Sequence, residues 1–301
     1  MENFEREEGV VPPKYRSPLE KNAHPELDTS EPLSLVGIKK YQSLIGALQW
    51  CVTLGRFDIQ CAVMTMSRFR AEPTKGHWKM LERILGYLRH TKDTAIRFRT
   101  EKPNYDHLRV STYDWDHSVY KGVTEDIPDN ALPPKGKSVR LSTYVDASLL
   151  HCRATGRAAS GILHLINDTP IDWFSKLQGT VEAATYGSEF MAARLATQQI
   201  IDLRITLRYM GVPIVGSAWL FGDNESVIKS SIIPSSTLNR RHNALSYHTV
   251  RSAIASGIIR FHHVPGSENI SDVLTKHLEP RILEPLIQPY LLRWGPLKKK
   301  D

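Results

Sequence analysis

Hydrophobic residues in the first third of the chain recur at helical spacing. Between residues 39 and 98 they form three runs whose members lie three or four positions apart, the period of an amphipathic helix. The second run covers residues 58–69, and the third follows a proline and a threonine at 73–74, a helix start signal. The first run comprises Tyr41, Leu44, Ile45, Leu48 and Val52. The pattern predicts a small helical unit over residues 39–98.

From about residue 139 the hydrophobic pattern has a period of two, which is typical of strands. A long helical run over residues 181–210 interrupts it and ends at Gly211, a residue that favours helix termination. The predicted strands cover residues 141–146, 161–166, 170–175, 218–221 and 258–264, and shorter helices cover 224–231, 244–256 and 270–276. This order predicts an α/β fold in which helices flank a mixed five-stranded sheet.

The remaining segments lack a clear hydrophobic period. Residues 1–38 contain five prolines, so we predict a disordered leader there. Residues 99–138 combine prolines with many charges and are predicted to be a linker or an insertion. The predicted α/β domain then covers residues 139–278, and residues 279–301 are predicted to be a basic tail.

Positive charge is unevenly distributed over the 301 residues. The net charge is +7, but residues 1–31 hold eight acidic and four basic side chains, so the rest of the chain carries +11. This charge favours a polyanionic partner, although solubility alone would also account for it.

The cysteines and the hydrophobic content exclude several classes of protein. Cys51, Cys61 and Cys152 lie far apart without a CxxC pair, which excludes a disulfide framework and a cysteine-only zinc site and favours a reducing compartment. No apolar run approaches the ~20 residues of a membrane span, and the N-terminus lacks the features of a secretory signal. We therefore expect an intracellular protein without a membrane partner, while the sequence leaves the compartment open between a cytoplasmic particle and the nucleus.

The long helix carries an acid on its apolar side. The stripe comprises Ala193, Ala196, Ile200, Leu203, Leu207 and Met210, and Glu189 lies four residues before its first member. A lone carboxylate on a buried face is costly, so Glu189 needs a cation close by, either an arginine or a metal ion. Glu182 is an alternative candidate, although a role in compensating the helix dipole suits its position better.

Three aspartates fall where strands or helices begin or end. Asp146 ends the first predicted strand, Asp223 follows the fourth, and Asp272 opens the last helix, with Glu268 as an alternative to Asp272. Ligand sites in open sheets lie outside the strand ends. Because three or four carboxylates without histidine or cysteine suit Mg²⁺ or Mn²⁺, the set predicts a site for such ions.

Short motifs stand out in both predicted parts of the chain. In the α/β part they are 144–147 (YVDA), 170–176 (PIDWFSK), 187–193 (GSEFMAA), 221–224 (FGDN) and 269–276 (NISDVLTK). In the helical unit they are 41–48 (YQSLIGAL), 56–59 (RFDI), 73–78 (PTKGHW) and 83–88 (RILGYL). Together they resemble the C-terminal part of copia-type retrotransposon polyproteins. The first group is similar to the family's ribonuclease H domain, and the second to its reverse-transcriptase C-terminal or thumb region.

The resemblance implies a ribonuclease H-like fold and a two-metal endonuclease that hydrolyses the RNA strand of RNA–DNA hybrids. It implies that Asp146 and Asp223 bind or bridge two Mg²⁺ or Mn²⁺ ions. Glu189 would hold the ion near the leaving oxygen, and Asp272 would be a weaker ligand of the ion that activates water. The loop after Asp146 departs from the family pattern. Since no Tyr-x-Asp-Asp motif occurs, we expect no polymerase activity.

Further candidates concern nucleic-acid contacts. Ser148 and Asn224 are candidate sensors of the RNA 2′-hydroxyl, and His263 is a candidate for assisting product release. Arg240, Arg241, Arg251 and Arg260 are candidate phosphate ligands. The expected partners are the hybrid itself and the remainder of the polyprotein or other reverse-transcriptase chains.

Two other functions stay open at this point. The chain could be a catalytically inactive, nucleic-acid-binding remnant of a retrotransposon. It could also be another nuclease on the same fold, such as an integrase-type phosphotransferase, because a fold alone does not choose a reaction. The position of Glu189 on the first long helix favours the ribonuclease H type.

Overall fold

The computed structural model describes residues 11–105, 107–108, 113–238 and 241–293. Within these ranges, no helix has both the length and the apolar content needed to cross a membrane.

Three helices form the N-terminal part of the molecule. They are α1 (Leu35–Thr53), α2 (Gln60–Ser67) and α3 (Lys75–His90). The start of α1 lies four residues before the predicted helical unit because Ser34 caps it, its hydroxyl accepting a hydrogen bond from the backbone N–H of Gly37 at 3.2 Å.

The C-terminal segment completes this part. After α3 comes the short strand β1 (Thr94–Ile96), which pairs antiparallel with β7 (Leu291–Arg293). Between the sheet domain and β7 lies α7 (Pro280–Ile287), whose buried side chains are Leu283, Leu286 and Ile287. Residues 279–301 were predicted to be a basic tail. Over residues 280–293 this prediction is wrong, because α7 and β7 lie there. The three apolar side chains recur at helical spacing and bury one face of α7.

A mixed sheet forms the centre of the rest of the chain. The strand order is β4-β3-β2-β5-β6, in which β2, β3 and β4 pair antiparallel while β2, β5 and β6 pair parallel. The strands are β2 (Leu141–Ser148), β3 (Ala159–Ile166), β4 (Thr169–Leu177), β5 (Ala218–Gly222) and β6 (Ile259–His263). The predicted mixed five-stranded α/β fold is therefore confirmed.

Three helices accompany the sheet: α4 (Thr185–Tyr209), α5 (Glu225–Ile232) and α6 (Ala244–Ala255). The long helix begins four residues later than predicted. The predicted helix over 270–276 is instead a five-residue 3-10 helix, Ile270–Leu274, because Asn269 caps it and ties it to the sheet.

The sheet separates two apolar layers. Val145 and Ile162 face a cluster built with α4 and α6. Leu163 and Leu165, on the other face, belong to a cluster that includes α1, α2 and α3. Strand side chains alternate between the two faces of the sheet. The face that carries Leu163 and Leu165 packs on the helical unit, so the sheet and the helical unit share one continuous core.

The segment before α1 packs on the helical unit, in contrast to the predicted disordered leader over residues 1–38. Leu19 is 1% exposed and lies in the core of that unit. The Arg83 guanidinium lies 3.0 Å from the Glu20 carboxylate and also stacks over the ring of Tyr15. Residues 11–34 are therefore a packed segment that includes a short 3-10 helix, Pro25–Leu27, rather than a disordered leader.

The predicted insertion, residues 99–138, is anchored to α4 at Glu125. Its carboxylate accepts hydrogen bonds from Arg204 Nε and from an Arg208 terminal nitrogen, each at 2.6 Å. Burial alone would raise the pKa of Glu125, but the two guanidinium groups lower it to about 2. Besides the apolar residues of the predicted inward stripe, α4 thus carries two arginines that hold the insertion.

Candidate active site

Two aspartates end neighbouring parallel strands. Asp146 lies near the end of β2 and Asp223 directly follows β5. The strands align Tyr144 with Phe221, so the aspartates, two residues further along each strand, reach the same edge of the sheet. Asp146 is only 1% exposed, and a buried carboxylate requires charge-compensating partners.

Asp272 joins them because the segment 266–276 is tied to β2. Fully buried Asn269 donates from Nδ2 to the Val145 carbonyl at 3.1 Å. Its Oδ1 accepts hydrogen bonds from the Ser271 hydroxyl at 2.5 Å and the Ser271 backbone N–H at 3.3 Å. This clamp presents Asp272 to the sheet edge beside Asp146.

Gly161 makes the close approach of this segment possible. It pairs with Asp146 across β2 and β3. A Cβ atom at Gly161 would lie 2.6 Å from Thr275 Cγ2 and 2.8 Å from Leu274 Cβ, closer than packed atoms allow. The missing side chain therefore lets the segment that carries Asp272 rest directly on the sheet.

Glu189 comes from the first turns of α4, as the apolar stripe predicts. It is 7% exposed, and Ala193, Ala196 and Ile200 behind it are buried. The stripe does not continue to Met210, which is 67% exposed and lies just after the last residue of α4.

The four predicted acids line or adjoin one groove. Carboxylate oxygens of Asp146, Asp223 and Asp272 all lie within 4.8 Å of one another. Glu189 lines the groove together with Asp146 and Asp223. The arrangement concentrates four carboxylates in a small volume, which is stable only if cations or protons compensate them. Their catalytic roles stay a prediction.

The titration behaviour of the acids reflects this crowding. Burial raises the pKa of Glu189 well above its ordinary value, and the charges of Asp146 and Asp223 raise it further. Burial raises the pKa of Asp223, and the charge of Asp146 raises it further. The same two causes raise the pKa of Asp272 to about 7. Such carboxylates favour a bound cation, since it relieves their mutual repulsion.

Among the described residues, Lys276 supplies an ammonium group to the acidic cluster. Its ammonium donates to Asp272 Oδ1 at 2.6 Å and to Asp146 Oδ1 at 3.3 Å, and the Thr275 hydroxyl also donates to the Asp146 carboxylate. Burial would lower the pKa of Lys276, but Asp146 and Asp272 raise it above its ordinary value. One ammonium leaves most of the negative charge uncompensated, and the all-oxygen donor set fits Mg²⁺ or Mn²⁺.

The candidate nucleic-acid residues divide into two groups. Ser148, Asn224 and His263 line the acidic groove. Arg241 lies in the exposed turn Arg241–Asn243, outside the groove-lining set. Arg240 lies outside the described residues. Asn224 also caps α5, its side-chain oxygen accepting from the backbone N–H of residue 227 at 3.2 Å.

Arg251 is a structural residue rather than a phosphate ligand. It is 2% exposed, and its guanidinium donates to the backbone carbonyls of Ser230, Ile233 and Pro234 at 2.7–2.8 Å. The sequence prediction is therefore wrong at this position, because the guanidinium is buried and both of its terminal nitrogens donate to carbonyls at or just after the end of α5.

The two alternative acids lie apart from the aspartate cluster. Glu182 is 8% exposed, and its carboxylate lies 3.4 Å from His242 Nε2. Glu268 is exposed in a 3-10 turn. Among the described residues, Asp272 rather than Glu268 joins Asp146 and Asp223.

The residues that organise the groove were not predicted from the sequence. The spacing of Lys276, four residues after Asp272, is a signal for an ion pair and was available in the sequence. Nothing local indicated Asn269, Thr275 or Gly161, because their partners lie more than a hundred residues away along the chain.

Solved structures with a similar fold include ribonucleases H. The RNase H1 from Halobacterium salinarum is 20% identical, covers 45% of this chain and 94% of its own, and has a TM-score of 0.33. The foamy viral protease-reverse transcriptase in complex with an RNA/DNA hybrid is 16% identical, covers 54% of this chain and 23% of its own, and also has a TM-score of 0.33. The fold class itself is established by the strand order and pairing described above.

No family model matches the chain. The curated relatives include the Retrovirus-related Pol polyprotein from transposon RE2 of Arabidopsis thaliana, 24% identical over 254 residues, and that from transposon TNT 1-94 of Nicotiana tabacum, 25% identical over 236 residues. These matches cover 84% and 78% of this chain, which spans only 15% of each relative's length. The putative transposon Ty5-1 protein YCL074W of Saccharomyces cerevisiae is 26% identical, covering 60% of this chain and 47% of that protein. The matches confirm that the chain resembles one region of retrotransposon Pol polyproteins.

Proposed function

We propose that this chain is a metal-dependent endonuclease that hydrolyses the RNA strand of RNA–DNA hybrids, as part of a retrotransposon polyprotein. The observation that carries the proposal is the convergence of Asp146, Asp223 and Asp272, with oxygens within 4.8 Å of one another, on a groove that Glu189 also lines. The four acids come from four separate elements at one edge of the sheet. Such an arrangement is expensive for folding and is therefore expected of a functional site.

The four acids would hold two Mg²⁺ or Mn²⁺ ions. Bound ions of this kind polarise a phosphoryl oxygen and lower the pKa of water, and a pair stabilises both the attacking and the leaving oxygen. The chain's contribution is rigidity: β2 and β5 fix Asp146 and Asp223, while the Asn269 clamp fixes Asp272. Preorganised carboxylates avoid the cost of assembling the site during the reaction.

The groove also carries polar residues suited to a nucleic acid. Ser148 and Asn224 lie beside two of the acids and would contact the RNA strand, whose 2′-hydroxyl distinguishes it from DNA. His263 lines the same groove, and its imidazole would shuttle protons to the products. In this proposal residues 139–278 form the nuclease domain. Residues 39–98 correspond to the end of a reverse transcriptase and pack on the sheet of the nuclease domain.

The test uses the full chain and a hybrid labelled on its RNA strand. With Mg²⁺ we expect cleavage of the RNA that leaves 3′-hydroxyl and 5′-phosphate ends, and no cleavage without the ion. Asp146→Asn and Asp223→Asn are each expected to slow cleavage on the order of 10²–10³-fold or more, the usual effect of losing a preorganised charge. Asp172→Asn, an exposed aspartate of β4 on the same sheet, is the matched control and should cleave normally.

Two outcomes contradict this proposal. If the folded chain retains hybrids equally in Ca²⁺ and Mg²⁺ and cleaves in neither, it is a binding remnant rather than an enzyme. If Asp146→Asn and Asp223→Asn cleave as fast as Asp172→Asn, the groove is not the site of the reaction.

A further inference from the structure

A second group of metal-ligating side chains lies near the acidic groove, at a neighbouring groove that shares Lys276 with it. Ligand atoms of Cys61, His151 and His277 all lie within 4.8 Å of one another. Cys61 belongs to α2, His151 follows β2, and His277 follows the segment that carries Asp272. Three elements that are remote in sequence thus bring one thiol and two imidazoles together where the helical unit meets the sheet.

The orientation of these side chains suits coordination. Cys61 Sγ lies 3.9 Å from His277 Nδ1. The ligand separation in a tetrahedral zinc site is about 3.5 Å for sulfur and nitrogen, so small side-chain shifts close the site around an ion. The other ring, His151, has Nδ1 at 2.9 Å from the Thr275 carbonyl, to which its N–H donates.

That hydrogen bond sets the tautomer of His151. Since Nδ1 carries the proton, Nε2 keeps its lone pair, and it lies 3.2 Å from the Thr65 hydroxyl on the side of α2 that carries Cys61. A ligating histidine commonly donates its second nitrogen to a backbone carbonyl, which holds the ring in place. The Thr275 carbonyl supplies this support.

The environment keeps both histidines in the form that binds metals. Burial lowers the pKa of His277 to about 3, with a further decrease from His151, and burial also lowers the pKa of His151. The imidazoles are therefore neutral near pH 7. Burial raises the pKa of the Cys61 thiol to about 12, so the thiol keeps its proton until an ion replaces it.

We propose that Cys61, His151 and His277 form a binding site for a borderline transition-metal ion, with Zn²⁺ as the cation that this ligand set favours. Thiolate and imidazole ligands select such ions over Mg²⁺, which prefers oxygen. Binding releases one proton from the Cys61 thiol as the metal–sulfur bond forms. The site borders a groove lined by His151, His277 and Arg153, from which water supplies the fourth ligand.

An ion at this site would tie the helical unit to the acidic groove. The Thr275 carbonyl accepts from His151, while the Thr275 hydroxyl donates to Asp146. Cys61 lies on α2, so coordination links that helix to the strand and segment that present Asp146 and Asp272. The inferred role is structural, and the inference does not depend on hydrolase activity.

The test is direct metal binding to the full chain after removal of bound ions. Co²⁺ is the spectroscopic probe because it accepts the same ligands as Zn²⁺. We expect one equivalent of Co²⁺ to produce a thiolate-to-metal charge-transfer band that Zn²⁺ abolishes. The carboxylates of the acidic groove contain no sulfur, so they cannot produce this band.

Variants identify the thiol and the imidazole. Cys61→Ser and His277→Ala are expected to lose the band, while Cys51→Ser and Cys152→Ser keep it. Saturating Mg²⁺ is added first, so that the acidic groove is occupied. One equivalent of Zn²⁺, at a protein concentration well above the dissociation constant, should then raise the Tm of the parent, Cys51→Ser and Cys152→Ser by about 5 °C, and leave Cys61→Ser and His277→Ala unchanged.

The inference is overturned if the parent chain develops no charge-transfer band, or if the band survives in Cys61→Ser. If Cys61→Ser does not fold, His277→Ala decides, because His277 lies outside the helices and strands and its truncation leaves the helical core intact. Retention of both the band and the Zn²⁺-dependent Tm shift in folded His277→Ala would equally refute the site.

Discussion

At the scale of single residues, the acidic groove is a problem of charge balance. Asp146, Asp272 and Glu189 are largely removed from water, and Lys276 is the cation placed among them. A buried cluster of carboxylates is stabilised by each added positive charge and destabilised by each added negative charge. Lys276 and a divalent ion therefore compete for the same carboxylate oxygens.

The competition predicts the effect of removing the lysine charge. Lys276→Met keeps much of the side-chain volume but removes the ammonium that contacts Asp146 and Asp272. We expect the affinity for Mn²⁺, measured by isothermal titration calorimetry, to rise at least about tenfold because a nearby like charge is lost. Lys176→Met, at an exposed lysine of β4, should leave the affinity unchanged. Weaker Mn²⁺ binding by Lys276→Met would show that the lysine supports the ion rather than competing with it.

The pKa of Asp272, about 7, predicts a pH dependence of metal binding. Protons and divalent ions compete for this carboxylate, so Mn²⁺ affinity should rise with pH and change most steeply near pH 7. Titrations between about pH 5.5 and 8 measure it, and Asp272→Asn should give a flatter profile. An equally steep profile in Asp272→Asn would assign the proton to another group.

The stability of the metal-free chain should show the opposite sign. Asp272 and Glu189 have pKa values raised in the folded state, so folding favours their protonated forms. Their contribution to the free energy of unfolding is therefore present at low pH and lost as pH rises through the folded pKa values. Urea unfolding at a series of pH values, compared between the parent and Asp272→Asn, measures this contribution. A parent whose stability does not fall relative to Asp272→Asn as the pH rises from about 4 to about 7 would contradict the assignment.

At the scale of elements, the site depends on one irregular segment. The segment 266–276 contains two short 3-10 helices rather than the predicted regular helix. Asn269 ties it to β2, and Gly161 lets it approach β3. The position of Asp272 therefore follows from packing between distant elements, which no local pattern encodes.

Gly161→Ala tests this packing. The added methyl group meets Thr275 and Leu274 at 2.6 and 2.8 Å, so the segment must move outward. We expect a loss of stability of about 1–3 kcal/mol in urea unfolding, the usual effect of overpacking, together with weaker Mn²⁺ binding. Gly179→Ala is the matched control, since its Cβ would meet nothing within 4 Å. Unchanged stability and metal affinity in Gly161→Ala would show that the segment's position is not set at Gly161.

At the scale of the whole molecule, the helical unit and the sheet share a core. Phe57, before α2, is fully buried, and its ring centroid lies 5.8 Å from that of Trp173 on β4. Leu163 and Leu274 belong to the same apolar cluster. Because the apolar surface at this junction is shared, neither part can unfold without exposing surface of the other.

The shared core predicts cooperative unfolding. Phe57→Ala should reduce the free energy of unfolding by about 3–5 kcal/mol and shift the circular-dichroism and tryptophan-fluorescence transitions together. Leu54→Ala, at a side chain that is 67% exposed, should change stability by less than about 0.5 kcal/mol. Two separate transitions, with only one affected by Phe57→Ala, would indicate independent parts.

The local sequence was sufficient to predict the five strands of the central sheet, the helices that flank it, the helical unit and the identity of the clustered acids. Hydrophobic periodicity specifies helices and strands because each must bury one face, and this located the sheet, α4 and the helical unit. Asp146 and Asp223 were predictable because parallel strands deliver their ends to one edge.

Tertiary structure decided the rest. The ordered segment before α1, the β1–β7 pair and the Cys61–His151–His277 cluster all depend on partners remote in the chain. Their local sequences contain prolines, short apolar runs or single ligands, none of which specifies a partner. Periodicity reports which face of an element is buried, but only the packing of the whole chain determines what lies against that face.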